Sequence, residues 1–85
     1  MALVKAIKIT DTNDEALKIL NAVLPERRTG WTEISPTKIA LQLGISEFRV
    51  RYNVNKFVAL GYLQQNDANK HLYTPTKKVL YLNEG

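Results

Sequence analysis

The chain has no cysteine, so neither a disulfide framework nor a thiolate metal site is available to it. Its single histidine, His71, stands beside an expected turn, reads as a surface residue and is assigned no metal. No run approaches the roughly 18 apolar residues of a membrane-spanning helix. The N-terminal stretch lacks the layout of a secretory signal, so a cytoplasmic location is expected. The four glycines are scattered, which leaves no glycine-rich phosphate loop, and no pattern brings two carboxylates together in a pocket. Enzyme chemistry, a cofactor and a small-molecule ligand are therefore not expected. At 85 residues the chain is expected to form one domain over 1–85, with a modest core.

What is present is an uneven charge. From Met1 to Glu33 five basic residues (Lys5, Lys8, Lys18, Arg27, Arg28) cancel five acidic ones. From Ile34 to Gly85 seven basic residues (Lys38, Arg49, Arg51, Lys56, Lys70, Lys77, Lys78) stand against three acidic ones, which accounts for the whole net charge of +4. That asymmetry favours a polyanionic partner through counterion release and steering.

The same half of the chain carries the most organised pattern. Ser35 is a good N-cap and Pro36 suits the first helical position, where its missing N–H costs nothing. Ile39, Ala40 and Leu43 fall at helical spacing, and Gly44 supplies the left-handed residue that ends a helix. Ile45 then plugs a tight turn, Ser46 caps a second helix, and Gly61 ends it after the apolar series Val50, Val54 and Phe57. Two short helices joined in this way are the pattern of a helix-turn-helix.

At about 100° per residue the second helix sorts into faces. Val50, Val54 and Phe57 point inward. Phe48, Tyr52, Asn55 and Ala59 point outward, with Arg49 and Lys56 on one flank and Arg51 on the other. This outward face is expected to hold donors and no carboxylate. Arg, Asn and Lys on the N-terminal part of such a helix can meet base edges and phosphates in a major groove. Arg49, Tyr52, Asn55 and Lys56 are the base-facing candidates. Ser46, Phe48 and Arg51 on the same helix, with Lys38, Lys70 and His71 outside it, complete the expected DNA-contacting set. An ordinary solvated helix face has similar residues, and exposed Phe48 and Tyr52 among the cations are what set this one apart.

The remaining segments fit around these helices. Ala2 to Ile9 is rich in Val and Ile and reads as a strand with Leu3, Ile7 and Ile9 inward. Thr12 to Glu15 reads as a capping box. The helix that follows should bury Ala16, Leu17, Leu20, Val23 and Leu24 and stop at Pro25. Trp31 to Ile34 is expected as a short β stretch in which Trp31 caps the core. Glu33 is expected to face solvent, and Glu47 to do so or to act on a helix N-terminus. After Gly61 the pattern changes to period two, Tyr62 to Gln65 and His71 to Thr74, around the polar turn Asn66 to Lys70. A hairpin directly after a recognition helix is a wing. It either follows a DNA backbone, with Lys70 and His71 as its basic residues, or only covers the core. Val79 to Leu82 is a further apolar run, strand or helix. The two terminal segments can pair with each other, with the wing or with a second copy, so a homodimer is a natural expectation. Together these elements predict an α+β winged helix-turn-helix: three helices, a β-hairpin wing and an extra N-terminal strand.

The string Ile45-Ser46-Glu47-Phe48-Arg49-Val50-Arg51-Tyr52, followed by Gly61-Tyr62-Leu63, resembles the PapI/FaeA-like pilus regulators within the winged helix-turn-helix superfamily. The general layout extends over roughly residues 12 to 74, although the specific string is only about eight residues long. The resemblance implies a small transcription regulator acting on double-stranded DNA at a promoter, often beside a second DNA-binding protein, with Arg51 and Tyr52 as matching helix positions. Winged helices that bind left-handed duplexes carry an Asn and a Tyr one turn apart; here Arg51 and Asn55 stand at those positions. The other class that fits is a winged helix used for protein contact in a larger assembly. There Phe48 and Tyr52 would anchor a partner, and Val58, Leu80 and Leu82 would be sensitive positions.

Overall fold

The computed structural model describes residues 7–8, 14–25 and 30–81, with side chains over 14–25 and 30–79. Among them the chain is α+β, with three helices and a small three-stranded antiparallel sheet, an arrangement compatible with a winged helix. The elements run β1 (Ile7–Lys8), α1 (Asp14–Val23), β2 (Thr32–Glu33), α2 (Pro36–Leu43), α3 (Glu47–Ala59), β3 (Leu63–Gln65), β4 (Leu72–Pro75) and β5 (Leu80–Tyr81). No helix among the described residues is long and apolar enough to cross a membrane.

Local chemistry sets the helix ends. The Ser35 hydroxyl accepts the Lys38 N–H and Pro36 occupies the first turn of α2. Gly44, at φ 69°, closes that helix by donating its N–H to the Ala40 carbonyl. In α3 the Ser46 hydroxyl accepts the Arg49 N–H at 3.2 Å, satisfying one of the donors a helix start leaves free. At the other end Gly61, at φ 85°, reverses the chain so that the Tyr62 N–H reaches the Phe57 carbonyl. Lys78 adds a C-terminal cap from a distance, its Nζ donating to the Leu60 carbonyl at 2.8 Å while lying 4.8 Å from the centre of the Tyr62 ring. A cation at a helix C-terminus also suits the helix dipole.

β4 is the central strand of the sheet, flanked by β2 and β3. Thr32 faces Tyr73 on one side, and Gln64 faces Thr74 on the other. The hairpin turn between β3 and β4 is organised by two asparagines. The Asn66 Oδ1 accepts the N–H groups of Ala68 and Asn69, and the Asn69 Oδ1 accepts that of His71. Short amide side chains satisfy turn backbone groups in this way without a glycine.

The core lies where α1, α3 and the sheet meet. Phe57, Ile19, Leu20, Val50 and Val79 are its largest fully buried side chains. Phe57 and Tyr62 pack edge to face at 6.3 Å. Ile45 and Leu43 are half-buried against this cluster, which places the turn of the motif on the core as its sequence suggests.

Three expectations need correction. In α1 it is Ile19, not Leu17, that joins Ala16, Leu20, Val23 and Leu24 in the core, because the helix packs against both α2 and α3 and its buried arc takes in Ile19. Trp31 does not cap the core but is 44 % exposed. The β stretch there shrinks to Thr32–Glu33, its pairing limited to Tyr73 and Leu72 of β4. The apolar run after Lys78 resolves into strand: β5 pairs antiparallel with β1, Ile7 opposite Tyr81, one of the three pairings its sequence allowed. Thr12 of the expected capping box, the rest of the N-terminal stretch and Leu82 lie outside the described residues.

Candidate nucleic-acid interface

Helix α3 separates two chemistries by its periodicity. Its inner side, Val50, Val54 and Phe57, is buried as the spacing predicts. On its outer side Phe48 is 76 % and Tyr52 59 % exposed, one turn apart, and Asn55 is exposed beside them. Two large aromatic side chains turned to solvent on one helix face are uncommon for a surface that meets water alone.

Asn53 is a further residue of this helix that the sequence reading missed. It is 7 % exposed and its Nδ2 donates to the Arg49 carbonyl at 2.8 Å. The signal was available, since Asn53 stands three residues after Val50 and four before Phe57, on the buried arc. The hydrogen bond to the preceding turn lowers the cost of burying the amide.

The cations do not stand free of carboxylates, which corrects the expectation of a face of donors alone. Arg49 Nε lies 3.2 Å from Oε1 of Glu15 on α1. That pair crosses between helices, so no reading of α3 by itself could find it. Arg51 is held within α3: its Nε and Nη2 both donate to Oε1 of Glu47, at 3.1 and 2.6 Å. The hydrogen bond from Arg51 holds the Glu47 carboxyl below the ordinary glutamate value, with smaller contributions from the Arg51 charge and the Thr37 hydroxyl. An exposed ion pair such as Arg49–Glu15 contributes at most about 1 kcal/mol, so a phosphate oxygen offered to Arg49 can replace Glu15 at little cost. Lys56 has no ion-pair partner among the described residues.

These side chains share one place. Glu15, Phe48, Arg49, Tyr52, Asn53 and Lys56 line an open groove of about 400 Å³ along the seam of α1 and α3. The other expected residues do not line it, Arg51 and Asn55 of the same helix included. Ser46 is spent on capping α3, and its exposed position puts the N-terminus of the helix at the surface. Lys38 is exposed on α2, and Lys70 and His71 are exposed at the hairpin tip. None of these four lines the groove. Lys70 contributes to the turn through its carbonyl, which accepts from Gln65 Nε2 at 2.9 Å.

The arrangement can bind a polyanion along a helix edge and can present aromatic faces and amide donors to whatever lies above it. Among the described residues no group of three or more His, Asp or Glu side chains is placed to hold a metal ion. Comparisons with protein families, with curated proteins and with solved structures find no match to this chain.

Proposed function

We propose that this chain is a winged helix-turn-helix that binds double-stranded DNA in a sequence-specific manner and regulates transcription, in the manner of the PapI/FaeA-like regulators its helix string resembles. In this reading the outward face of α3 enters the major groove and the β3–β4 hairpin lies near the backbone. The observation that carries it is the outer face of α3. Phe48 and Tyr52 are exposed there, flanked by Arg49, Arg51, Asn55 and Lys56, on a helix anchored to the core by Val50, Val54 and Phe57. A rigid scaffold under exposed donors is what base readout requires. Lys38, Lys70 and His71 then serve phosphates on either side, and Ser46 keeps the α3 N-terminus ordered where it meets the backbone.

A winged helix of this size covers little DNA by itself, so the proposal includes two copies on half-sites one helical turn apart, or one copy beside a second DNA-binding protein. Sedimentation that finds only monomer at high micromolar concentration, with and without DNA, would remove the dimer. Exposed Leu41, at 81 %, favours a second reading in which the domain makes protein contacts.

The experiment is binding of a fluorescent mixed-sequence duplex across a salt series. If Lys38, Arg49, Lys56 and Lys70 each neutralise a phosphate, log K should fall against log salt with a slope of about −3 to −4, or roughly a hundredfold between about 50 and 200 mM. Lys56→Ala should lower that slope by about 1. A folded protein that does not bind at low salt would overturn the proposal in favour of the protein-contact reading.

A further inference from the structure

The Arg51–Glu47 pair has a geometry that goes beyond charge balance. A guanidinium has five N–H donors, and its two hydrogen-bonding edges are distinct. Glu47 Oε1 occupies the side edge, taking Nε–H and the neighbouring hydrogen of Nη2. The end edge, formed by Nη1 and the second Nη2 hydrogen, is left with two parallel donors. The Arg51 side chain is 60 % exposed, so that edge is accessible.

Glu47 is itself constrained. It belongs to the first turn of α3, one residue after the Ser46 cap and four before Arg51 on the same helix. With Nε–H and one Nη2 hydrogen both on Glu47 Oε1, Arg51 gives up part of its rotamer freedom before any ligand arrives. Arg49 presents a contrast. Its partner Glu15 is on another helix, with Oε1 3.2 Å from Nε, which suits an arginine that exchanges a carboxylate for a phosphate.

Two parallel donors at fixed spacing match two acceptors on one base edge, guanine N7 and O6 in the major groove. We propose that Arg51 reads a guanine through its Nη1/Nη2 edge and that Glu47 is the positioning residue that holds it for this contact. The inference rests on the DNA-binding reading and deepens it by naming one base of the target. An Arg–Glu pair four residues apart on a solvated helix is otherwise an ordinary stabilising pair, and the test must move a quantity that such a pair would not.

Selection from random duplexes with the wild-type chain supplies its preferred site. Each guanine of that site is then replaced singly by 7-deazaguanine, which lacks the N7 acceptor. Binding is measured for the wild type, Arg51→Ala and Glu47→Gln, with circular dichroism to confirm folding. The expected result is one guanine at which the substitution weakens wild-type binding about tenfold, within the range of a bidentate arginine contact. Arg51→Ala should be insensitive at that position and keep its sensitivity elsewhere. Glu47→Gln should lose most of the discrimination there while binding a scrambled duplex more tightly, because a negative charge is gone. Sensitivity that survives in Arg51→Ala at every guanine overturns the assignment of Arg51. Full discrimination in Glu47→Gln overturns the role of Glu47 and leaves a helix-stabilising pair. A wild-type chain that selects no site and binds no duplex at low salt defeats the DNA-binding reading itself, and this inference with it.

Discussion

On one side of α3, Val50, Val54 and Phe57 are between 0 % and 3 % exposed; on the other, Phe48 and Tyr52 are 76 % and 59 % exposed. The same helix therefore supplies part of the core and most of the candidate interface, with residues of the two kinds alternating in sequence. Folding and binding are separated by direction around the axis and not by position along it. Asn53 and the two arginine pairs show what lies at the borders. Polar groups there are engaged by the protein's own carbonyls and carboxylates, which fixes the helix without covering its outer face.

If the two sides are distinct, substitutions should divide by side. Phe57→Ala should have the largest effect, about 3–5 kcal/mol of stability lost to transfer and cavity terms, read by chemical denaturation. Phe57 is fully buried and its loss also strips Tyr62 of its ring partner. Next comes the link between the helices. Gly44 is at φ 69° with no atom within 4 Å of a Cβ added to it, so the cost of Gly44→Ala is backbone strain alone. That cost should be about 1–2 kcal/mol, measured in the same denaturation series. Smaller still, Phe48→Ala and Tyr52→Ala should each change stability by less than about 0.5 kcal/mol while weakening duplex binding. A loss of stability comparable to that of Phe57→Ala would erase the distinction between the sides.

The subtlest test is the acid titration of Glu47. Its carboxyl is held low by Arg51, so the pair's contribution is present above the ordinary glutamate value and is lost as pH falls through the lowered folded value. A carboxyl-detected NMR titration should show Glu47 titrating at higher pH in Arg51→Ala than in the wild type. An unchanged midpoint would mean that the pair does not persist in solution, and the border between the two sides would be looser than described.

The parts legible in the sequence are those set by local chemistry. Ser35 with Pro36, Gly44, Ser46 and Gly61 mark the bounds of α2 and α3 because caps and left-handed residues act on the adjacent turn. The β3–β4 hairpin was legible for the same reason, through its alternation and its Asn-rich turn. What sequence left open or misjudged depends on elements far apart in the chain. Leu17 and Ile19 flank the same stripe of α1, and which of them is buried depends on how the helix packs against α2 and α3. The Glu15–Arg49 pair joins residues 34 positions apart (49 − 15), and the Lys78 cap on Leu60 acts across 18. The pairing of β1 with β5 closes the longest loop among the described residues, and no local pattern distinguishes it from pairing with the hairpin or a second copy. For the candidate site, the exposed set on α3 was readable from its 100° periodicity, but its carboxylate partners were not.

The central claim is that the outer face of α3 is the surface that meets DNA. It is tested most directly by following backbone amide signals of the labelled chain in 1H–15N spectra while duplex is added at low salt. The account predicts that the largest changes fall on Ser46 to Lys56, with a smaller group at Lys70 and His71 on the hairpin tip. Spectra that do not change, or changes centred instead on Trp31 and Leu41, would contradict it.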